Sequence, residues 1–318
     1  ARSINGMRTE WDIRDLAVGD GASRVTGRMV ALSDIERGLG FRDLDLQLNN
    51  LDLEVVRPYL DTLPFHGRVS GPLGATGFFD GMTVSLDWLF QDAGVPGGAS
   101  SSLALEGRLR LGGADGMFFE AARVPQSDID LRSVRLVAPA VILEGRLALD
   151  GSLAGPWKNI VFDGNVSHRD GERPVSRMQG TERLDTRGAV FGLETDMLLD
   201  SLVFEGIRRT FPTLQARGSL GGRVRLAGGF EDLAIDVNVA GELGRVIVMG
   251  HATLTPPAWG ADSLRLSFSG VDLQSLAAAA PRTSLAGSLA VSGRIDSAAA
   301  PVGRIGVHLG AGKIREWA

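Results

Sequence analysis

The sequence predicts an all-β protein with few short helices: an elongated repeating β-groove built from successive antiparallel strands with an apolar concave face. Three observations carry this. A glycine followed by a skipped position and a branched apolar residue recurs at Gly67, Gly145, Gly218 and Gly287, in steps of 78 (67 to 145), 73 (145 to 218) and 69 (218 to 287). Apolar and polar residues alternate with period 2 over long runs, the signature of half-buried strands. Helical spacing is scarce. Repetition on this scale describes a chain that stacks one supersecondary unit along an axis, so the function of such a chain lies in the surface the stacking makes.

The repeat extends beyond the glycines. Moving Gly145 onto Gly218 also places Leu147 on Leu220, Gly155 on Gly228, Trp157 on Phe230, Ile160 on Leu233 and Phe162 on Ile235. The preceding copy fits with its own shift, setting Val69 on Leu147, Gly77 on Gly155 and Phe79 on Trp157. An Asp-Leu marker (Asp52-Leu53, Asp130-Leu131, Asp272-Leu273) stands fifteen residues before three of the glycines, and Asp200-Ser201-Leu202 stands before Gly218. The units are read as 1–51 (the end of a preceding unit), 52–129, 130–199, 200–271 and 272–318 (incomplete), all within one repetitive fragment, 1–318, of a longer protein.

Element by element, Leu44, Leu46 and Leu48 oppose Asp43, Asp45 and Gln47, and Leu103, Leu105, Leu109 and Leu111 oppose Glu106, Arg108 and Arg110. Leu233, Ile235, Val237 and Val239 oppose Asp236 and Asn238, and Leu264, Leu266 and Phe268 oppose Arg265 and Ser267. Residues two apart in a strand share a face, so each run makes a sheet with one apolar and one charged side. Asp52 and Asp272 are placed to cap short helices over LEVVRPYL and LQSLAAAA, with Pro58 weakening the first. The run after Asp130 alternates and reads as strand, whereas Leu198 to Phe211 has helical spacing. Runs such as GSLGG at Gly218 read as turns between strands.

So few helices leave the apolar faces without cover, and each large side chain left in water forfeits roughly 1.5–3 kcal/mol. A closed barrel, two packed sheets or one long folded trough are the solutions, and repeats of this length fit the trough best. A trough too wide to be closed by its own side chains is an apolar channel larger than soluble monomers ordinarily expose, and acyl chains match it.

Composition narrows the function classes. The 318 residues are 44% hydrophobic and 22% charged, with net charge −5 and only Lys158 and Lys313 as lysines, which gives no basic stripe for nucleic acid. There is no cysteine, which excludes disulfides and thiolate metal sites. The four histidines, His66, His168, His251 and His308, have no metal-ligand spacing. No nucleophile elbow, phosphate loop or dinucleotide fingerprint occurs in a strand–turn–helix setting. Acidic pairs such as Asp43 and Asp45 alternate on the solvent face. No enzyme chemistry, metal or cofactor is expected.

The segments VDLQSLAAAAPRTSLAGSLAVSGR (Val271 to Arg294), LDLEVVRPYLDTLPFHGRVSG (Leu51 to Gly71) and GRVRLAGGFEDLAIDVNVAG (Gly222 to Gly241) resemble the TamB/AsmA-like family, in which a D-L turn leads to L-x-G-x-L-x-x-x-G and alternating strands. The resemblance implies a repeating β-groove, or β-taco, a long periplasmic trough with a hydrophobic interior, in an inner-membrane-anchored protein. It implies transport of phospholipid between inner and outer membranes, or outer-membrane protein assembly with a barrel partner. The family's membrane helix and partner-binding segment are expected in parts of the protein outside this sequence. The groove-lining positions it implies are Leu147, Leu149, Ile160 and Phe162 in one copy, then Leu220, Val224, Leu226, Ile235, Val237 and Val239, joined by Leu264, Leu266 and Phe268. Phospholipid acyl chains are the expected partner, with no nucleic acid. The alternative is a structural or adhesive surface β-repeat with a closed, fully packed core.

Overall fold

The protein is described by a computed structural model. It covers residues 2–4, 7–55, 57, 65–112, 116–137, 141–188, 191–254, 258–276, 280–296, 302–310 and 312–314. The chain is nearly all antiparallel β, as its alternation predicts, and divides into two compact units. The first comprises residues 1–141 and 146–162, the second residues 142–145 and 163–318.

The first unit holds β1 (Arg2–Ile4), β2 (Arg8–Gly19), β3 (Arg24–Asp34), β4 (Gly38–Asp52), β5 (Gly67–Phe78), β6 (Gly81–Asp92), β7 (Ala99–Leu111), β8 (Met117–Asp130) and β9 (Arg146–Pro156). Each of these strands pairs antiparallel with the next in sequence. The unit boundary falls within β10 (Asn159–Arg169). The second unit continues with β11 (Ser176–Asp185), β12 (Gly192–Val203), β13 (Ser219–Gly229), β14 (Asp232–Gly241), β15 (Gly244–Thr253), β16 (Ala258–Val271), β17 (Thr283–Asp296), β18 (Val302–Leu309) and β19 (Lys313–Ile314). From β11 to β18 each strand again pairs antiparallel with its successor, and β19 pairs with the start of β17.

Short helical turns recur after every fourth strand. A 3-10 turn, Leu53–Val55, follows β4; α1 (Leu131–Val137) follows β8; a 3-10 turn, Phe204–Ile207, follows β12; and α2 (Leu273–Leu276) follows β16. The Asp-Leu marker is the start signal at three of them. Asp52, Asp130 and Asp272 each accept, through Oδ1, the backbone N–H two residues on, from Glu54 (3.0 Å), Arg132 (2.9 Å) and Gln274 (3.1 Å). That bond satisfies one of the donors a helix start leaves free. Hydroxyls complete the clasp: Asp52 N donates to Ser23 Oγ, Asp130 N to Ser101 Oγ and Val203 N to Ser176 Oγ.

Several expectations are corrected here. The segment after Asp130 is helix, because the capping bond and the burial of Leu131 outweigh its alternating pattern. Leu198 to Val203 lies in β12 rather than in a helix, and the helical spacing is realised only from Phe204, in the 3-10 turn Phe204–Ile207 and the turn after it, where Phe211 N donates to Ile207 O at 3.1 Å. In β12 the cross-strand ladder with β13 takes the backbone groups that a helix would have used internally. Asp200 accordingly lies inside β12 and starts no helix. The GSLGG run is mostly strand, since β13 begins at Ser219. Gly67 opens β5, while Gly145 and Gly218 stand immediately before β9 and β13, but Gly287 sits inside β17, opposite Phe268 and Leu309. Pro58 and Ala277–Ala279 lie outside the described residues.

The G-x-aromatic signature marks the other edge of the sheet in both units. Phe79 occupies the β5–β6 turn, accepts from Leu111 N (2.7 Å) and donates to Leu39 O (2.9 Å). Trp157 in the β9–β10 turn donates to Met117 O (2.8 Å), and Phe230 in the β13–β14 turn accepts from Leu254 N (2.5 Å). Each aromatic thus pins a hairpin end to its neighbour. Glycines also stand within the strands. At Gly107 (φ +148°) and Gly222 (φ +141°) a Cβ would run into the backbone carbonyls of Ala121 and Asn238 on the adjoining strand. Both occupy apolar-face positions, where the missing side chain lets a sheet bend toward that face.

The apolar sheet face as a candidate site

Cross-strand register assembles the alternating residues into rows. In the second unit one row runs Met197–Val224–Val237–Val248–Leu266–Leu289–Val307, each residue directly opposite the next. A second runs Leu199–Gly222–Val239–Val246–Phe268–Gly287–Leu309. A third runs Glu182–Thr195–Leu226–Ile235–Gly250. Nine of the sequence-predicted residues therefore share one face: Leu220, Val224, Leu226, Ile235, Val237, Val239, Leu264, Leu266 and Phe268. Leu220 and Val239 are buried; the other seven are half-buried.

The buried pair belongs to the capped end. Phe204, Ala216 and Leu243 close over Leu220 and Val239, with Ile207 and Leu214 packed alongside. Towards β18 the cover disappears, and Ile305, Val307 and Leu309 are among the most exposed large apolar side chains of the molecule. Burial of a side chain of this size is worth about 1.5–3 kcal/mol, so such a row is a standing driving force for contact with another apolar group.

In the first unit Leu147 lies opposite Ile129 and Leu149 opposite Ser127. Leu149 and Ile160 pack against a buried cluster of Leu105, Phe119, Ala122 and Val124, and Phe162 is itself buried. A second cluster, Ala75, Met82, Val84 and Leu109, is surrounded by Phe41, Leu44, Leu73, Phe79, Leu86 and Leu111. The face of this unit packs against itself: its cover comes from neighbouring strands. Phe41 and Phe79, with ring centroids 6.0 Å apart, contribute much of the volume.

The sequence reading missed Val246, Val248, Leu289, Val291, Ile305 and Val307, which complete these rows. Their alternation (Val246 and Val248 in β15; Ile305, Val307 and Leu309 in β18) carries the same signal as the residues it did select.

The opposite face is ionic and wet. Arg223 forks onto Asp196 (2.7 and 2.6 Å), with Arg225 between Asp196 and Asp236, and Arg110 meets Glu120 at 3.0 Å. The Arg223 guanidinium holds the Asp196 carboxyl below the usual carboxylate range. Asp43 and Asp45 are exposed on this side. Exposed pairs of this kind contribute about 0–1 kcal/mol each and serve mainly to keep the face solvated.

Glu182 stands apart from this pattern. Among the described residues of β11 to β17 it is the one acid or base at an apolar-face register position. Thr195 Oγ1 donates to its Oε2 at 2.7 Å, while its Oε1 is buried without a partner. Burial pushes its carboxyl up to about 7, against the smaller opposing effect of the Thr195 bond. An acid whose folded pKa is raised binds its proton more tightly folded than unfolded. Its neutral form therefore favours the fold below the ordinary Glu range, and that advantage fades as pH rises through about 7.

Two other features of the chain bear on function. No group of three or more His, Cys, Asp or Glu side chains placed to hold a metal occurs among the described residues. No helix among them is long and apolar enough to cross a membrane. The fold defines an antiparallel β protein, each of whose two units carries an apolar sheet face. Comparison of the chain with protein-family models, with curated proteins and with solved structures gives no match.

Proposed function

We propose that this protein is a non-enzymatic periplasmic scaffold or conduit for phospholipid acyl chains, acting in transport between inner and outer membranes or in outer-membrane protein assembly. The observation that supports it is the half-exposed row from Val224 through Val237, Val248 and Leu266 to Leu289. A row of aliphatic side chains that keep part of their surface in water matches an alkyl chain along its length, and each CH₂ moved from water onto it contributes about 0.8 kcal/mol. Headgroups remain at the solvated rim. The mechanism is passive: the chain supplies a wall, and no covalent step is required.

Lipid extraction and native mass spectrometry of the purified chain test this reading. Phospholipid at near-stoichiometric level is expected, and Leu226→Arg should abolish it while leaving the far-UV spectrum and the urea midpoint nearly unchanged, because Leu226 is half-exposed. A lipid-free protein that also binds no apolar dye overturns the proposal and favours a structural β-repeat with a closed, fully packed core. Unfolding by Leu226→Arg would mark that position as sealed core, since a buried unpaired charge is not tolerated.

A further inference from the structure

A carboxyl on a hydrocarbon-bearing wall is chemically out of place. Glu182 shares its face with Gly180 and Leu184 on its own strand and with Leu193, Thr195 and Met197 on β12. From β10, Gly164, Val166 and His168 alternate with the outward Asp163. His168 lies at the capped edge, where its Nε2 meets the Glu144 carbonyl at 2.7 Å. The other charged groups nearby point to the opposite face and are engaged there: Asp163 with Thr181, Arg183 with Glu194, and Asp196 with Arg223. No cation on these strands is placed to meet an ionised Glu182. Thr195 supplies one hydrogen bond, and the second carboxyl oxygen has none. In such a setting the neutral acid is compatible with an apolar neighbour, whereas the anion requires water or a counter-charge.

We propose that Glu182 and Thr195 form a proton-operated valve on the apolar face of the second unit. With the carboxyl neutral, Leu226 and Ile235, beside the buried Thr195, accept an uncharged acyl chain; with it ionised, the site draws in water and the chain is released. The proposal deepens the conduit reading and rests on it. Binding a chain across Glu182 removes the last access of water to the carboxyl, so occupancy and protonation reinforce one another by linkage. The carboxyl already titrates near neutrality, pushed up to about 7, so the device works within an ordinary range of pH.

The test is binding of a pyrene-labelled diacylglycerol, which is uncharged between pH 5.5 and 8.5, to the full chain. The wild-type protein should bind roughly thirtyfold more weakly at pH 8.5 than at pH 5.5, because only the neutral fraction is competent and that fraction falls about tenfold per pH unit above the midpoint. Glu182→Gln should bind independently of pH at the wild-type pH 5.5 level. Glu182→Leu, which fills the position with hydrocarbon, should show the same flat profile and serves if the amide variant folds poorly. Flat binding by the wild-type protein, or a fall with pH that survives in both variants, overturns the valve and leaves the conduit standing. Absence of binding at pH 5.5 in all three proteins overturns the conduit, and the valve with it.

Discussion

In the first unit the apolar face centres on Met82, Val84, Leu105, Leu109 and Val124, all buried, whereas in the second the row through Val224, Val237, Val248 and Leu266 is half-buried. Repeat-equivalent positions make the contrast direct: Val84 is 6% exposed, while Ile235, its counterpart by the repeat, is half-exposed although larger. The reason lies in the neighbours. Phe41, Phe79, Met82, Met117, Phe119 and a run of leucines project far enough to cover one another in the first unit. In the second, Val224, Val237 and Val246 pack against the buried cluster around Leu220 and Val239, and the rows are interrupted by Gly222 and Gly250, which bring no side chain to the face. One backbone pattern thus gives a core or a half-buried face according to the side chains it carries.

Charge insertion breaks this comparison most sharply. Val124→Arg places a guanidinium in a cluster where the native side chain is 2% exposed, and should cost about 3–5 kcal/mol or prevent folding of the first unit. Leu266→Arg in the second unit should cost less than about 1 kcal/mol, because the longer side chain can reach water from a half-exposed position. Urea denaturation of the two variants beside wild type decides the matter. Equal losses would mean that the second unit's face is sealed as well, and the difference between the units would vanish.

Much of the fold was legible because alternation is a local signal. The strands through Leu44–Leu48, Leu103–Leu111, Leu233–Val239 and Leu264–Phe268 follow directly from period 2, and so does the membership of the apolar face. The Asp-Leu marker was legible as a cap at Asp52 and Asp272 but misread at Asp130. There Val134 and Leu136, between Ser133, Arg135 and Val137, fit a strand's alternation while Leu131, Val134 and Val137 fit helical spacing, and the bonds to Arg132 and Ser101 decide. Leu198 to Val203 departs for the opposite reason: its helical spacing is overridden by pairing with β13, while Phe204 to Phe211, beyond that ladder, does turn. Which faces close was not legible at all, because closure depends on side chains from several strands meeting across the sheet. Glu182 was hidden likewise, since Thr181, Glu182 and Arg183 are all polar and nothing local tells which of them turns inward.

Glycine substitution sharpens the comparison by separating backbone from packing. Gly107 in the first unit and Gly222 in the second both adopt positive φ and both lie against a neighbouring strand's carbonyl. Alanine at either position meets backbone that cannot move aside, so each substitution should cost about 1–3 kcal/mol, whatever the exposure of the surrounding face. Gly81→Ala is the control: its φ is ordinary and its only close neighbour is the flexible end of Arg108, at 3.2 Å. It should leave the thermal midpoint nearly unchanged. A loss at Gly107 much greater than at Gly222 would mean that the packed face, and not the strand contact, dictates glycine there.

The smallest effect concerns the caps. Asp130 is 5% exposed; it bonds the Arg132 amide, meets the Arg132 guanidinium at 2.8 Å and lies 3.7 Å from Arg146. Burial opposes its ionisation, yet the bonds from Arg132 prevail and hold the carboxyl below the usual range. Asp272 in the second unit is held low mainly by the Thr283 amide, from a more open position. An acid with a depressed folded pKa contributes stability above its unfolded pKa and loses it as pH falls through the folded value. Asp130→Ala should therefore cost about 1 kcal/mol at pH 7 and progressively less as the solution is acidified below pH 4, with Asp130→Asn losing the charge-dependent part alone. Asp272→Ala should follow the same pH course with a smaller amplitude, because water replaces the lost acceptor more readily at the open cap. Equal amplitudes from pH 7 down to pH 3 would show that the caps of the two units are energetically alike, and would confine their difference to the apolar face.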